Sequence, residues 1–242
     1  MIHLSVNVNK VATLRNARGG TVPSVLDAVR VCVEAGTAGI TVHPRADQRH
    51  IKAADVRDIA RELVAHPSVE FNVEGDPRQD LLALVREVRP HQCTLVPVKA
   101  GEITSQAGWP ADTPRAELAG VVRTLQEAGV RVSLFVDPEP EPIRWAASLG
   151  ANRIELYTEP FARAFERGQS EARNRFDLYA AAAELAHSLG LEVNAGHDLD
   201  LHNLTMFRTL PHLSEVSIGH ALISYALLVG LDRAVRDYLR AL

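Results

Sequence analysis

The chain is predicted to fold as a single (β/α)₈ barrel over residues 1–242, and three observations carry that prediction. First, one phrase recurs: a helical stretch ends in glycine and an apolar, β-branched stretch follows within a few residues. It reads EAGTAGITVH at 34–43, EAGVRVSLFV at 127–136, SLGANRIELY at 148–157 and SLGLEVNAGH at 188–197. Glycine closes a helix in the left-handed region other residues avoid, and the chain then enters a strand buried on both faces, as in a parallel sheet. Second, eight strand-like segments alternate with eight helical ones, the rhythm of a closed barrel. Third, no glycine-rich dinucleotide loop marks the change of strand order that an open, doubly wound sheet requires.

Taken in order, the strands are expected near 2–9, 38–43, 68–73, 92–97, 130–136, 152–157, 191–196 and 214–218. Helices are expected near 22–35, 53–65, 77–88, 114–128, 139–149, 172–189, 199–209 and 220–240. Two connections exceed what a minimal barrel needs. Residues 98–113, after strand 4, carry Lys99, Glu102 and Thr104 and read as a lid. Residues 158–171, after strand 6, lead into an additional helical segment.

Bulk properties narrow the function class. A formal charge of −4 with both signs interspersed leaves no basic footprint for nucleic acid. No apolar run is long enough to span a bilayer, and the N-terminus opens into a strand rather than a signal peptide, so the expected compartment is the cytoplasm. Cys32 and Cys93 lie in apolar surroundings without metal-ligand spacing and read as reduced packing residues.

Polar residues at the C-terminal strand ends of a barrel face one shared pocket. Those positions hold Asn7, Asn9 and Lys10, followed by Arg15 and Arg18, after strand 1. Strand 2 gives His43, then Arg45 and His50; strand 3 gives Glu70 and Asn72; strand 4 leads to Thr104. Glu155 lies on strand 6, Asn194 and His197 on strand 7, and Gly219 and His220 follow strand 8. Each alone has a structural explanation, such as Glu155 pairing with Arg153. Together they place two carboxylates, two histidines and several cations in one pocket, which suits proton chemistry. Histidine as a residue type ordinarily titrates near neutral pH, so His43 and His197 suit general acid–base work, and a desolvated Glu70 could join them. Gly219 and His220 open the last helix, where backbone amides bind phosphate, while Arg18, Arg45 and His50 serve a second anion. The histidines lack the close spacing of a metal site, so a catalytic metal is not expected.

The stretches VNVNKVATLRNARG, GITVHPRADQRHI, LVPVK…EIT, VSLFVD, VNAGHDLDLHN and EVSIGHALI together resemble the pyridoxine 5′-phosphate synthase family, nearly end to end. The resemblance implies a barrel that condenses 1-deoxy-D-xylulose 5-phosphate with 3-amino-2-oxopropyl phosphate, without metal or organic cofactor. It implies a homo-oligomer, an octamer, with a loop after strand 4 that closes over substrate. By motif, His43 and Glu70 are implied as proton acceptors, His197 as proton donor and Glu155 as transition-state stabiliser. Asn7, Arg18, Gly219 and His220 are implied to hold the aminoketone or product phosphate, and Arg45, His50 and Thr104 the deoxyxylulose phosphate.

This chain departs from the family pattern at several points. Asn9 and Lys10 stand where the family has aspartate and histidine, and Asp198 and Ser217 replace glycine and asparagine. Tyr157, Thr158 and Glu159 replace His-Thr-Gly, and Val98 replaces glutamate. Asn9, Lys10 and Asp198 thus join the expected substrate contacts. Two alternatives follow: a paralogue acting on another phosphorylated ketone, with Lys10 as a Schiff-base former, or a barrel that only binds a phosphometabolite. The retained His43, Glu70, Glu155 and His197 argue against the second alternative.

Overall fold

The computed structural model describes residues 1–98 and 106–242. Eight parallel strands close into a barrel in sequence order: β1 (His3–Asn7), β2 (Gly39–Val42), β3 (Glu70–Gly75), β4 (Gln92–Leu95), β5 (Arg131–Val136), β6 (Arg153–Tyr157), β7 (Glu192–Gly196) and β8 (Leu213–Ile218). Around them run α1 (Asn9–Asn16), α2 (Val25–Ala35), α3 (Ala53–Leu63), α4 (Gln79–Val88), α5 (Arg115–Glu127), α6 (Pro140–Ser148), α7 (Glu159–Arg167), α8 (Gln169–Ser188), α9 (Leu204–Phe207), α10 (His220–Val229) and α11 (Leu231–Ala241).

Local chemistry accounts for many of the boundaries. Ser24 starts α2 by accepting a hydrogen bond from the Asp27 amide, and Gly36 ends it at φ 101°, a left-handed conformation that glycine adopts without penalty. The single helix expected over 220–240 is two helices, because Gly230 at φ 88° breaks the ladder between α10 and α11. Strand 1 ends earlier than expected: Asn9 opens α1, a helix the periodicity did not reveal. The extra segment after strand 6 is α7.

The strands are not apolar on both faces as expected. Leu4, Val6, Ile40, Val42, Phe71, Val73, Cys93, Leu95, Ile154 and Leu156 belong to the buried apolar core. The alternate positions are polar and bond to one another across the barrel interior. The Ser5 and Thr41 hydroxyls lie 2.7 Å apart, Asn72 Nδ2 donates to Thr41, and the Thr94 hydroxyl donates to Asn72 at 3.0 Å. Hydrophobic layers fill the interior of most such barrels; here a hydrogen-bonded network satisfies the buried groups instead.

The lower end of that network corrects one expectation. Glu70 is the first residue of β3, not a group at the mouth. Arg131, Arg153 and Glu192 also begin their strands. Glu70 pairs with the Arg131 guanidinium and accepts from Arg153 at 3.1 Å, while Arg153 also binds Gln92 and Glu192. In a parallel barrel, first residues lie at the end opposite the active-site face. Strand 3 runs two residues beyond its expected end, and this brings Glu74 to the mouth.

Candidate active site

The strand ends enclose a cavity of about 530 Å³. It is lined by eleven of the residues singled out from the sequence: Asn7, Asn9, Lys10, His43, Arg45, His50, Glu155, His197, Asp198, Gly219 and His220. Arg18 does not line it and stands exposed beyond the end of α1. Thr104, Lys99 and Glu102 lie outside the described residues.

The cationic side of the cavity is built from the start of α1 and the loop between β2 and α3. Lys10, Arg45, Arg49 and His50 gather there. Burial, then Arg45, Lys10 and Arg49, push the His50 pKa down to about 4. The Ile51 amide donates to His50 Nδ1 at 2.9 Å, which places the neutral ring's proton on Nε2, ready to donate. So many cations around a neutral donor make surroundings that favour negative charge.

This loop is anchored from behind. Arg15 forms a two-pronged ion pair with Asp55, at 2.9 Å through Nη2, and donates to the His50 carbonyl at 3.2 Å. Asn16 donates to the same carbonyl at 2.8 Å. Asn9 also has a positioning part: its Oδ1 accepts from the His43 amide at 2.9 Å, tying β1 to the end of β2.

On the β8–β1 side of the cavity, Asn7, Gly219 and His220 meet at the N-terminus of α10. A Cβ at Gly219 would stand 3.1 Å from Asn7 Cβ, so glycine lets the helix start approach β1 closely. Amides at a helix start favour negative charge, so this part of the cavity suits an anion.

Titratable groups from β2, β3, β6 and β7 line the same cavity. Burial holds the His43 pKa well below the usual histidine value, helped by Arg45 and His50. Its Nε2 is buried without a hydrogen-bond partner among the described residues. Glu74 approaches His43 Nδ1 to 3.7 Å, and burial with Glu215 nearby raises its pKa to about 8. Burial and Glu74 likewise raise Glu155 well above the carboxylate range. On β7, His197 Nδ1 lies 3.3 Å from Asp198 Oδ2. The hydrogen bond to His197 holds the Asp198 pKa below its ordinary value against the opposing effect of burial. Both residues have positive φ, 90° for His197 and 59° for Asp198. The Thr158 hydroxyl faces the Gly196 and His197 carbonyls and steadies that turn.

Sequence reasoning missed Glu74, Thr13, Arg49 and Arg163 among the lining residues. Glu74 had a signal, since Glu70, Asn72 and Glu74 share one face of a strand. Arg49 sits among recognised neighbours in RADQRH. Arg163 arrives on α7 with no local sign. Among the described residues no group of three or more His, Cys, Asp or Glu side chains could hold a metal ion. No helix among them is long and apolar enough to cross a membrane.

A family model described as pyridoxal phosphate biosynthesis protein PdxJ matches residues 4–242. The pyridoxine 5′-phosphate synthase of Christiangramia forsetii is 51% identical over 243 residues, covering 100% of both chains. That of Flavobacterium johnsoniae is 50% identical, again over 100% of each. The fold resembles phosphoribosyl anthranilate isomerase from Thermus thermophilus, with a TM-score of 0.59 at 14% identity over 99% of this chain and 98% of that one.

Proposed function

The chain belongs to the PdxJ family of pyridoxal phosphate biosynthesis proteins, and from that premise we propose that it condenses 1-deoxy-D-xylulose 5-phosphate with 3-amino-2-oxopropyl phosphate to form pyridoxine 5′-phosphate, inorganic phosphate and water. One observation carries the reading: a cluster of cations and the start of α10 share one cavity with a buried set of acid–base side chains. A pair of phosphorylated substrates needs two such anchors, and holding both turns a bimolecular encounter into a local one.

In this reading the cluster of Lys10, Arg45, Arg49 and His50 takes the deoxyxylulose phosphate. Asn7, Gly219 and His220 take the aminoketone phosphate. His43 accepts protons, His197 donates them with Asp198 orienting its ring, and Glu155 supports charge developing between them. Lys10 acts as an anion contact. It is exposed at the rim, whereas a Schiff-base lysine is activated by desolvation or by a pKa-lowering neighbour. Glu70 has no part in the chemistry, because it is engaged by Arg131 and Arg153 at the other end of the barrel.

The test is direct. Purified protein is mixed with both substrates, and product is followed by absorbance and mass. Turnover that is lost in His197→Ala supports the reading. Absence of product from the wild-type protein overturns it.

A further inference from the structure

Polar side chains make up most of the cavity wall, and among its described lining residues only Val96 and Phe135 present apolar ones. With Tyr157 they form a cluster of buried apolar residues separate from the barrel core. Val96 directly follows β4, and Phe135 is the last residue but one of β5, the neighbouring strand. The patch is held from behind. The Val96 amide donates to the Gly75 carbonyl at 2.9 Å, and the Trp109 amide donates to the Phe135 carbonyl at 2.8 Å. The Phe135 and Tyr157 rings are 5.4 Å apart, and Tyr157 meets His197 edge-on at 5.2 Å. A fixed apolar wall therefore stands one ring away from His197.

Apolar surface that opens on a polar cavity gains by covering itself with an apolar group of the ligand. The two substrates of the condensation offer one such group between them. Every carbon of either molecule carries oxygen or nitrogen, except the C1 methyl of 1-deoxy-D-xylulose 5-phosphate. We propose that Val96 and Phe135, backed by Tyr157, form the subsite for that methyl and so set the preference for a 1-deoxy sugar; the proposal rests on the condensation being the reaction catalysed. The direction of the chain agrees. The cluster of Lys10, Arg45, Arg49 and His50, given to the phosphate of this sugar, comes from the start of α1 and the loop after β2. In the order of the closed barrel β5 stands opposite β1. A sugar anchored by its phosphate and lying across the mouth carries C1, its other end, towards Phe135.

A sugar with a hydroxyl on C1 would bury it against two side chains that have no donor or acceptor. The Val96 amide and the Phe135 carbonyl are already engaged. A hydroxyl desolvated without a partner costs binding energy, although an apolar pocket rejects an added hydroxyl by no more than about 100-fold. The methyl takes no part in bond making. Its burial stabilises bound substrate and transition state alike, so the preference falls in Kd and KM rather than in kcat.

The experiment compares 1-deoxy-D-xylulose 5-phosphate with D-xylulose 5-phosphate, which adds one hydroxyl at C1. Kd is measured by calorimetry, and kcat/KM with the aminoketone phosphate present, for wild-type protein, V96T and F135L. Wild-type protein is expected to favour the deoxy sugar about 10- to 100-fold. V96T puts a hydroxyl into the wall at nearly constant volume and should shrink that ratio about 10-fold. F135L opens the wall and should shrink it about 3-fold or more. General loosening of the site weakens both sugars alike and leaves the ratio unmoved, so a changed ratio reads the wall itself. A wild-type Kd ratio near one, or a ratio that neither substitution moves, overturns the proposal. Wild-type protein that binds the sugars but makes no product overturns the condensation reading instead, and the Kd ratios then decide the wall. Failure to bind either sugar overturns both.

Discussion

A Cβ added to Gly196 would stand 2.2 Å from Glu155 Oε1. The backbone of Gly196 lies outside the positive-φ region, so the reason for glycine is room for the neighbouring carboxylate. Gly196→Ala should displace the Glu155 head group while sparing the fold, because the colliding atom is the end of a flexible side chain. The expected result is a fall in kcat of about 10-fold or more with Tm lowered by no more than about 3 °C. Steady-state kinetics and a thermal melt on the same sample check it.

Arg15 touches no part of the cavity but holds the loop that carries Arg45, Arg49 and His50. Arg15→Ala leaves Asp55 mostly buried without its partner, at a cost of about 3 kcal/mol. Loosening of that loop should raise KM for the substrate bound there about 10-fold, roughly 1.4 kcal/mol, with kcat little changed. Arg15→Lys should recover only part of the loss, since a lysine cannot reproduce the two-pronged contact. A KM–kcat split measured on both variants decides the matter.

Glu70→Gln separates structure from chemistry. Its loss leaves Arg131 and Arg153 short of a counter-charge, which should destabilise the fold by about 2–3 kcal/mol. Turnover by the folded protein should remain near the wild-type value. Denaturant melts paired with kcat at a temperature well below Tm test both halves. A collapse of kcat in folded protein would contradict the placement of Glu70 outside the chemistry.

Glu215→Gln should stabilise the protein increasingly as pH rises. Burial, with Glu70 adding to it, raises the Glu215 pKa to about 8, from an ordinary value of 4.5. The folded state therefore binds this proton more tightly than the unfolded chain. That advantage is complete below about pH 4.5 and is lost as pH climbs to about 8. Glutamine keeps a carbonyl to accept from Asn194, which donates to Glu215 at 3.1 Å, and carries no charge to desolvate. The Tm difference should be near zero at pH 4.5 and reach at least about 3 °C at pH 8. Melts across that range read it directly.

The barrel was legible because its punctuation is local: a glycine such as Gly36 ends a helix wherever it stands, and the strand that follows announces itself by composition. The histidines were legible for a related reason, since a polar residue closing an apolar run marks a strand end. Glu70 and Glu74 show where that reading stops. They share a strand and a face, and only the length of β3, set by pairing with β2 and β4, decides which one reaches the mouth. Arg163 reaches the cavity through the docking of α7, a tertiary relationship that no short window contains. The polar barrel interior was masked for the same reason. Ser5, Thr41 and Thr94 look like ordinary strand residues until the closed sheet turns them towards one another.

The turn at His197 and Asp198 sets a limit on how this protein can be improved. A non-glycine residue at φ 90° is held there by its surroundings at a cost of roughly 1–3 kcal/mol. Glycine at position 197 would relieve that strain, so a screen for heat resistance alone would favour it. The same substitution removes the imidazole from the cavity. Selection for durability and selection for turnover therefore pull this one codon in opposite directions, and a thermostability campaign should fix position 197 before it begins.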